Sequence, residues 1–308
     1  MLRALFISLS ESRSLRALAE KSSLGQKISG RFVAGTQLQD AIRVTEALNH
    51  SGLAVSIDNL GENVSNPDEA HHSAEFYRQL LDAIVSRRLN ANVSLKLTHM
   101  GVDVDPQLAY ENVRTLVKQA ASARPRNFVR VDMEGSSYTQ RTLDLVRQLH
   151  RENGNQGCIG AVIQSYMRRS EEDVEALLRE GIRIRLCKGA YQEPPELAYQ
   201  SKSEVDANYV KLMRTLLKSG VYHGLATHDE NLIRKAKAFA RKEKIPHDAF
   251  EFQMLYGIRR DLQQSLVHEG WRMRVYVPFG TEWYPYLMRR LAERPANVMF
   301  VLRNLFRP

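Results

Sequence analysis

The sequence predicts an α/β fold in which eight strands and the helices between them close into a (βα)8 barrel. Two patterns and one absence carry that expectation. Eight short apolar runs recur along the chain, and each is followed by a loop and a helical pattern, the order of βα units in a parallel sheet. Eight such units match a closed barrel of the TIM type. No Gly-x-Gly occurs anywhere, so the dinucleotide fingerprint and the phosphate loop are both missing, which tells against an open doubly wound sheet.

Taken in order, the apolar stretch 4–9 is too short for the core of a signal peptide. Thr36-x-x-Gln39 reads as a capping box opening a helix to about His50. Residues 1–50 are therefore expected as a helical extension of one domain spanning 1–308. The strands fall at 53–58, 93–97, 128–132, 159–164, 182–186, 222–227, 250–254 and 273–277. Helical patterns cover 74–88, 106–122, 139–152, 170–180, 204–218, 229–242 and 258–268. A last helix, 284–295, closes at Pro295 and places Tyr286, Arg289, Arg290 and Glu293 on one face. The run 297–308 lines up Val298, Val301, Leu302 and Leu305 beside arginines. That stripe suits either a helix docked on the barrel or an interfacial helix on anionic lipid, a peripheral membrane contact.

Hydrophobic residues make up 43% of the chain and charged ones 26%, an ordinary globular balance. The formal charge of +9 favours anionic partners, yet no basic run exceeds a few residues, so nucleic acid is not expected. Cys158 and Cys187 are the only cysteines and match no metal or CxxC spacing, which suits a reduced, cytoplasmic compartment.

In such barrels chemistry sits where the strands end. Reading those ends gives Asp58 and Glu62, then Lys96, then Asp132, Met133 and Glu134, then Gln164. Next come Arg185, Lys188, Gly189, Ala190 and Tyr191, then Thr227 and His228, then Gln253 and Leu255, and last Tyr276. Each alone has a plain explanation: a strand lysine snorkels, an aspartate caps the next helix, and a histidine completes a loop. Eight polar strand ends in a row are harder to dismiss, because unpaired buried charges cost several kcal/mol and persist only when paired or liganded. Two adjacent arginines suit forked recognition of a carboxylate or phosphate. No metal-ligand spacing and no nucleophile elbow is present. From spacing alone, Lys96 could also serve as the Schiff-base nucleophile of a barrel lyase or aldolase.

Several segments together resemble the proline dehydrogenase family of flavoenzymes, in its monofunctional bacterial form. They are Leu60-Gly61-Glu62, Ser94-Leu-Lys96, Val131-Asp132-Met133-Glu134, Arg185-Leu-Cys-Lys188-Gly189-Ala190-Tyr191, Ala226-Thr227-His228, Glu251-Phe-Gln253-Met-Leu255-Tyr-Gly257 and Tyr286-x-x-Arg289-Arg290-x-x-Glu293-Arg-Pro295. The resemblance implies a distorted barrel with the last helix over its mouth, and hydride transfer from L-proline to non-covalent FAD, yielding Δ1-pyrroline-5-carboxylate. Quinone would be the onward acceptor. It further implies that Lys96, Arg289 and Arg290 hold the proline carboxylate, that Leu255, Tyr276 and Tyr286 pack on its ring, and that Glu62 closes the pocket.

By the same resemblance Arg185 would lie near the flavin ring and Asp132 would orient Lys96 and the tyrosines. Met133, Gln164, Lys188, Gly189, Ala190, Tyr191, Thr227, His228, Gln253 and Glu293 would line the cofactor. One departure is Asp229, where the family commonly has Asn; an acid can cap the next helix equally well.

Overall fold

Along each strand, alternate residues point to opposite sides, and in this chain the two sides differ sharply in chemistry. The computed structural model describes residues 22–293, without the side chains of 23, 24, 26–28 and 289–293. Strands β1 (Ala54–Asn59), β2 (Ala91–Leu95), β3 (Val129–Val131), β4 (Ile159–Gln164), β5 (Arg183–Cys187), β6 (His223–Ala226), β7 (Phe250–Leu255) and β8 (Arg272–Phe279) pair in parallel in sequence order. β8 pairs back to β1, with Ser56 opposite Tyr276, so the barrel is closed.

The outward-facing set, including Val55, Ile57, Val93, Leu95, Val131, Ile184, Leu186, Phe252 and Val275, is buried beneath the helices. Those helices are α3 (Pro67–Ser86), α4 (Pro106–Ser122), α5 (Ser136–Arg151), α6 (Ser170–Arg179), α7 (Lys202–Lys218), α8 (Glu230–Lys242) and α9 (Arg260–His268). They are preceded by α1 (Ser23–Phe32) and α2 (Leu38–His50), and followed by α10 (Trp283–Glu293). Asn66 caps α3 and Asp105 caps α4, each ahead of a proline in the first turn.

Among the described residues the eight expected strands and the helices expected after them are present, with local corrections. The N-terminal capping contact sits one residue later than Thr36/Gln39: Asp40 accepts from the Gln37 amide at 3.2 Å. α3 starts at Pro67 instead of 74 because Asn66-Pro67 is itself a helix start, with the Asn66 side chain accepting from the Glu69 amide. β2 stops at Leu95, so Lys96 lies just past the strand and not within it. The stretch 4–9 and the run 297–308 lie outside the described residues.

α10 returns to the strand-end side of the barrel. Its Trp283, Tyr284, Tyr286, Leu287 and Met288 are buried together with Val33, just past α1, and Leu60, just past β1. The opposite end is filled by alternating guanidinium groups and rings. The Phe128 ring has Arg130 at 4.6 Å and Arg183 at 4.5 Å, and the Tyr222 ring has Arg183 at 4.7 Å and Arg272 at 5.5 Å. Beside them the buried Glu251 accepts from Arg274 Nε at 2.7 Å and from the Tyr222 hydroxyl at 2.8 Å. His223 accepts from the Ile184 amide through Nδ1 at 3.0 Å and meets Ser219 Oγ through Nε2 at 2.9 Å.

Two predictions test this floor. Burial, with Arg130 and Arg183 nearby, pushes the His223 pKa from 6.5 down to about 3. The folded state therefore resists a proton that the unfolded chain accepts, and its contribution is lost as pH falls from about 6.5 toward 3. His223→Gln should flatten the fall in stability across that window by about 1.4 kcal/mol per pH unit, read by urea unfolding at a series of pH values. Glu251→Leu should cost about 3–5 kcal/mol by stranding the Arg274 guanidinium, and Glu251→Leu with Arg274→Met should recover part of it. A double variant no more stable than the single would show that the pair is not the cause.

Candidate active site

Inside the barrel a connected set of inward-facing positions is polar. Arg185, 6% exposed, reaches from β5 across the interior. Its Nε donates to Gln253 Oε1 at 2.6 Å. Its Nη1 donates to Asp132 Oδ1 at 2.7 Å and Ser94 Oγ at 3.0 Å, and its Nη2 to Ser56 Oγ at 3.2 Å. The Tyr276 ring lies 5.1 Å from the guanidinium carbon, and its hydroxyl donates to Asp132 Oδ2 at 2.8 Å. Asp132 also accepts from Ser94 Oγ at 2.7 Å.

Gln253 is itself oriented from below. Its Nε2 donates to Glu251 Oε1 at 2.6 Å. Glu251 stays ionised: burial would raise its pKa, and Arg274 more than offsets that. An ionised carboxylate can only accept, so the amide nitrogen must face Glu251 and the amide oxygen must face Arg185.

Lys96 sits beside this network, 3.4 Å from Asp58 Oδ2. Asp58 is held in turn by the Tyr77 hydroxyl at 3.2 Å. The direct carboxylate partner of Lys96 is therefore Asp58, while Asp132 bonds Arg185, Ser94 and Tyr276. Burial by itself would lower the Lys96 pKa, but Asp58, Asp132 and Glu62 together hold it above its ordinary value. A Schiff-base lysine needs the opposite, a depressed pKa and a neutral amine. The lyase or aldolase alternative is therefore not favoured.

The remaining strand ends fall into two groups. Gln164 donates to the Glu134 carbonyl at 2.9 Å, and the buried Glu134 carboxylate accepts from Thr98 Oγ1 at 2.6 Å; Met133, just before Glu134, is buried. On the other side Lys188 is gripped by Asp206 at 2.5 Å and Asp229 at 2.9 Å. Asp229 also caps α8 through its other oxygen, accepting from the Asn231 amide at 3.0 Å. The cap expected of this acid is present, and the carboxylate adds a grip on Lys188. Burial opposes ionisation of Asp229, yet the Lys188 contact brings its pKa down to about 2.

Gly189 follows with φ +111°, and a Cβ there would lie 2.2 Å from the Tyr166 ring, so only glycine fits this bend. Ala190 and Tyr191 continue the loop, with Tyr191 exposed. Thr227 donates its amide to the Gln253 carbonyl, and His228 Nε2 accepts from the Leu255 amide at 2.9 Å, tying the ends of β6 and β7 together. Glu62 lies in the loop after β1, close enough for its charge to act on Lys96 and Glu134. Tyr286 is buried among the α10 contacts with Leu60. The side chains of Arg289, Arg290 and Glu293 lie outside the described residues.

Ser56, Tyr77 and Arg274 were missed altogether, while Ser94 and Glu251 were named within longer segments but given no role. A signal for most of them exists in the sequence. Polar residues recur at every second position, as Ser56/Asp58, Ser94/Lys96, Arg130/Asp132, Arg183/Arg185, Glu251/Gln253 and Arg274/Tyr276, within runs that otherwise read as buried strands.

Comparison with known proteins gives the family and the fold. The family model described as proline dehydrogenase matches residues 41–303. Proline dehydrogenase 1 of Bacillus subtilis (strain 168) is 40% identical over 308 residues, covering 100% of both chains. The proline dehydrogenase of Deinococcus radiodurans is 40% identical over 283 residues, 91% of this chain and 90% of that one. Among solved structures, proline utilization A from Bdellovibrio bacteriovorus inactivated by N-propargylglycine superposes with a TM-score of 0.82 at 26% identity over 92% of this chain. The match spans only 34% of that longer chain. Proline utilization A from Corynebacterium freiburgense, at 22% identity and a TM-score of 0.77, shares the fold. With a family match across most of its length and full-length relatives at this identity, the chain belongs to the proline dehydrogenase family.

Proposed function

We propose that this chain oxidises L-proline to Δ1-pyrroline-5-carboxylate with FAD as its cofactor, the first step in degrading proline to glutamate, and hands the electrons to a quinone. The observation that carries this reading is the charged Lys96, held at the barrel mouth by Asp58 beside the Arg185–Asp132–Tyr276 network. It supplies a fixed cation for a small carboxylate next to an ordered aromatic wall, in a chain 40% identical throughout to a proline dehydrogenase.

The residues present suit a flavin. Gly189 lets the Tyr166 ring pack directly on the loop 188–191 and so fixes the course of the segment that would cradle the flavin. Arg185 keeps one Nη2 hydrogen uncommitted after its four bonds. Met133, Gln164, Arg185, Lys188, Gly189, Ala190, Tyr191, Thr227, His228, Gln253 and Glu293 would hold the cofactor. When bound, it supplies the hydride acceptor that no side chain offers.

The protein's share is binding and orientation. Lys96, with Arg289 and Arg290 of α10, takes the carboxylate of proline in a charge-assisted grip. Tyr276, fixed by its bond to Asp132, forms with Leu255 and Tyr286 a wall for the ring. Positioning of this kind lowers the barrier by prepaying the entropy of alignment. The substrate amine must be neutral for its hydride to leave, so turnover should rise with pH toward the pKa of that amine.

The decisive measurement is the absorption spectrum of the purified protein. A flavin band at about 450 nm that bleaches on adding L-proline is expected; a colourless protein that gains no activity with FAD would overturn the proposal. Lys96→Met or Arg289→Met should raise KM for proline by about tenfold or more with a smaller change in kcat, since a charge-assisted contact is lost. Steady-state kinetics checks this, and an unchanged KM rejects the carboxylate grip.

A further inference from the structure

We infer that His99 is a positioning residue for the loop carrying Glu62, and that it acts by seating Gly61. This rests on the reading above, in which Glu62 closes over bound proline. The loop is pinned on both sides of Glu62. The Leu60 amide donates to the Phe279 carbonyl at 2.7 Å, and the Val64 amide donates to the Thr98 carbonyl at 3.3 Å. Only Gly61, Glu62 and Asn63 lie between the pins, and Asn63 takes a left-handed φ of 54°.

Gly61 has no positive φ, so its backbone conformation is open to any residue. The demand for glycine comes from below. A Cβ at 61 would lie 2.3 Å from His99 Nε2 and 2.5 Å from Cε1, far inside contact distance. The imidazole has nowhere to go: His99 is 7% exposed, and its ring stands edge-on to Tyr77 at 6.3 Å. Tyr77 is itself anchored, its hydroxyl shared between Asp58 and the Asn59 backbone. Asn63, by contrast, is exposed. Of the two partners the loop is the softer, so any bulk at 61 displaces Glu62 and leaves the ring in place.

The electrostatics agree. Burial first, and then the Lys96 charge, bring the His99 pKa down to about 4, so the ring is neutral at physiological pH. A neutral seat lets Glu62 respond to Lys96 without a competing cation directly beneath it. His99 thus sets where Glu62 rests without touching substrate, and its removal or crowding should act on binding more than on hydride transfer.

The test is a suppressor pair in the flavin-loaded full chain. Gly61→Ala should raise KM for proline about tenfold with kcat within about twofold, the pattern of lost ground-state binding. Adding His99→Ala removes the obstruction and should bring KM back to within about threefold of the parent. Hydrogen exchange at amides 61–64 supplies a readout independent of turnover: faster in Gly61→Ala, restored in the double variant. An unchanged KM and exchange rate in Gly61→Ala, or a double variant as impaired as the single, overturns the seat. Glu62→Gln separates the two ideas. If it leaves KM unchanged, the closing role of Glu62 fails, while the exchange data still decide whether His99 seats the loop.

Discussion

The Arg185 guanidinium bonds to groups from four other strands: Ser56 of β1, Ser94 of β2, Asp132 beyond β3 and Gln253 of β7. A cation buried this deeply costs several kcal/mol unless its donors are met, so these contacts come as a set. They also demand register. Shifting one strand by a single residue would turn its polar stripe toward the helices and its apolar stripe toward Arg185. The interior charge and the closure of the barrel are therefore one constraint, and the groups at the mouth inherit their positions from it. Asp132 is fixed by Arg185 and Ser94, Tyr276 by Asp132, and Lys96 by Asp58 on the neighbouring strand.

The barrel was legible in the sequence because alternation of apolar runs and helical patterns reports directly on burial beneath helices. Its ends were less so. Asn66-Pro67 starts α3 seven residues before the apolar periodicity does, since a cap and a first-turn proline need no hydrophobic partner. The inventory of strand ends found Lys96, Asp132, Arg185, Gln253 and Tyr276, which the structure brings together. It did not separate the two aspartates, because strand position alone cannot say which carboxylate faces which cation. Asp58 takes Lys96 and Asp132 takes Arg185 through the pairing of β1, β2, β3 and β5, a tertiary fact. His99 gave no signal of its own: a histidine after a strand reads as a loop residue until the ring beneath Gly61 is seen.

Lys188 shows how a residue that resembles a ligand contact can carry a second duty. Its two carboxylates come from α7 and from the cap of α8, so one ammonium ties β5 to the starts of two consecutive helices. An Asn at 229 would keep the cap but drop one of the two charges on Lys188. The acid at that position couples local helix initiation to the loop 188–191.

The ladder of Phe128, Arg130, Arg183, Tyr222 and Arg272 fills the end of the barrel away from the strand termini, and Glu251 with Arg274 fills the layer above it. A vessel stoppered at its base has one doorway. Side chains at the far side of the molecule thus decide from which side Lys96 and Arg185 are approached.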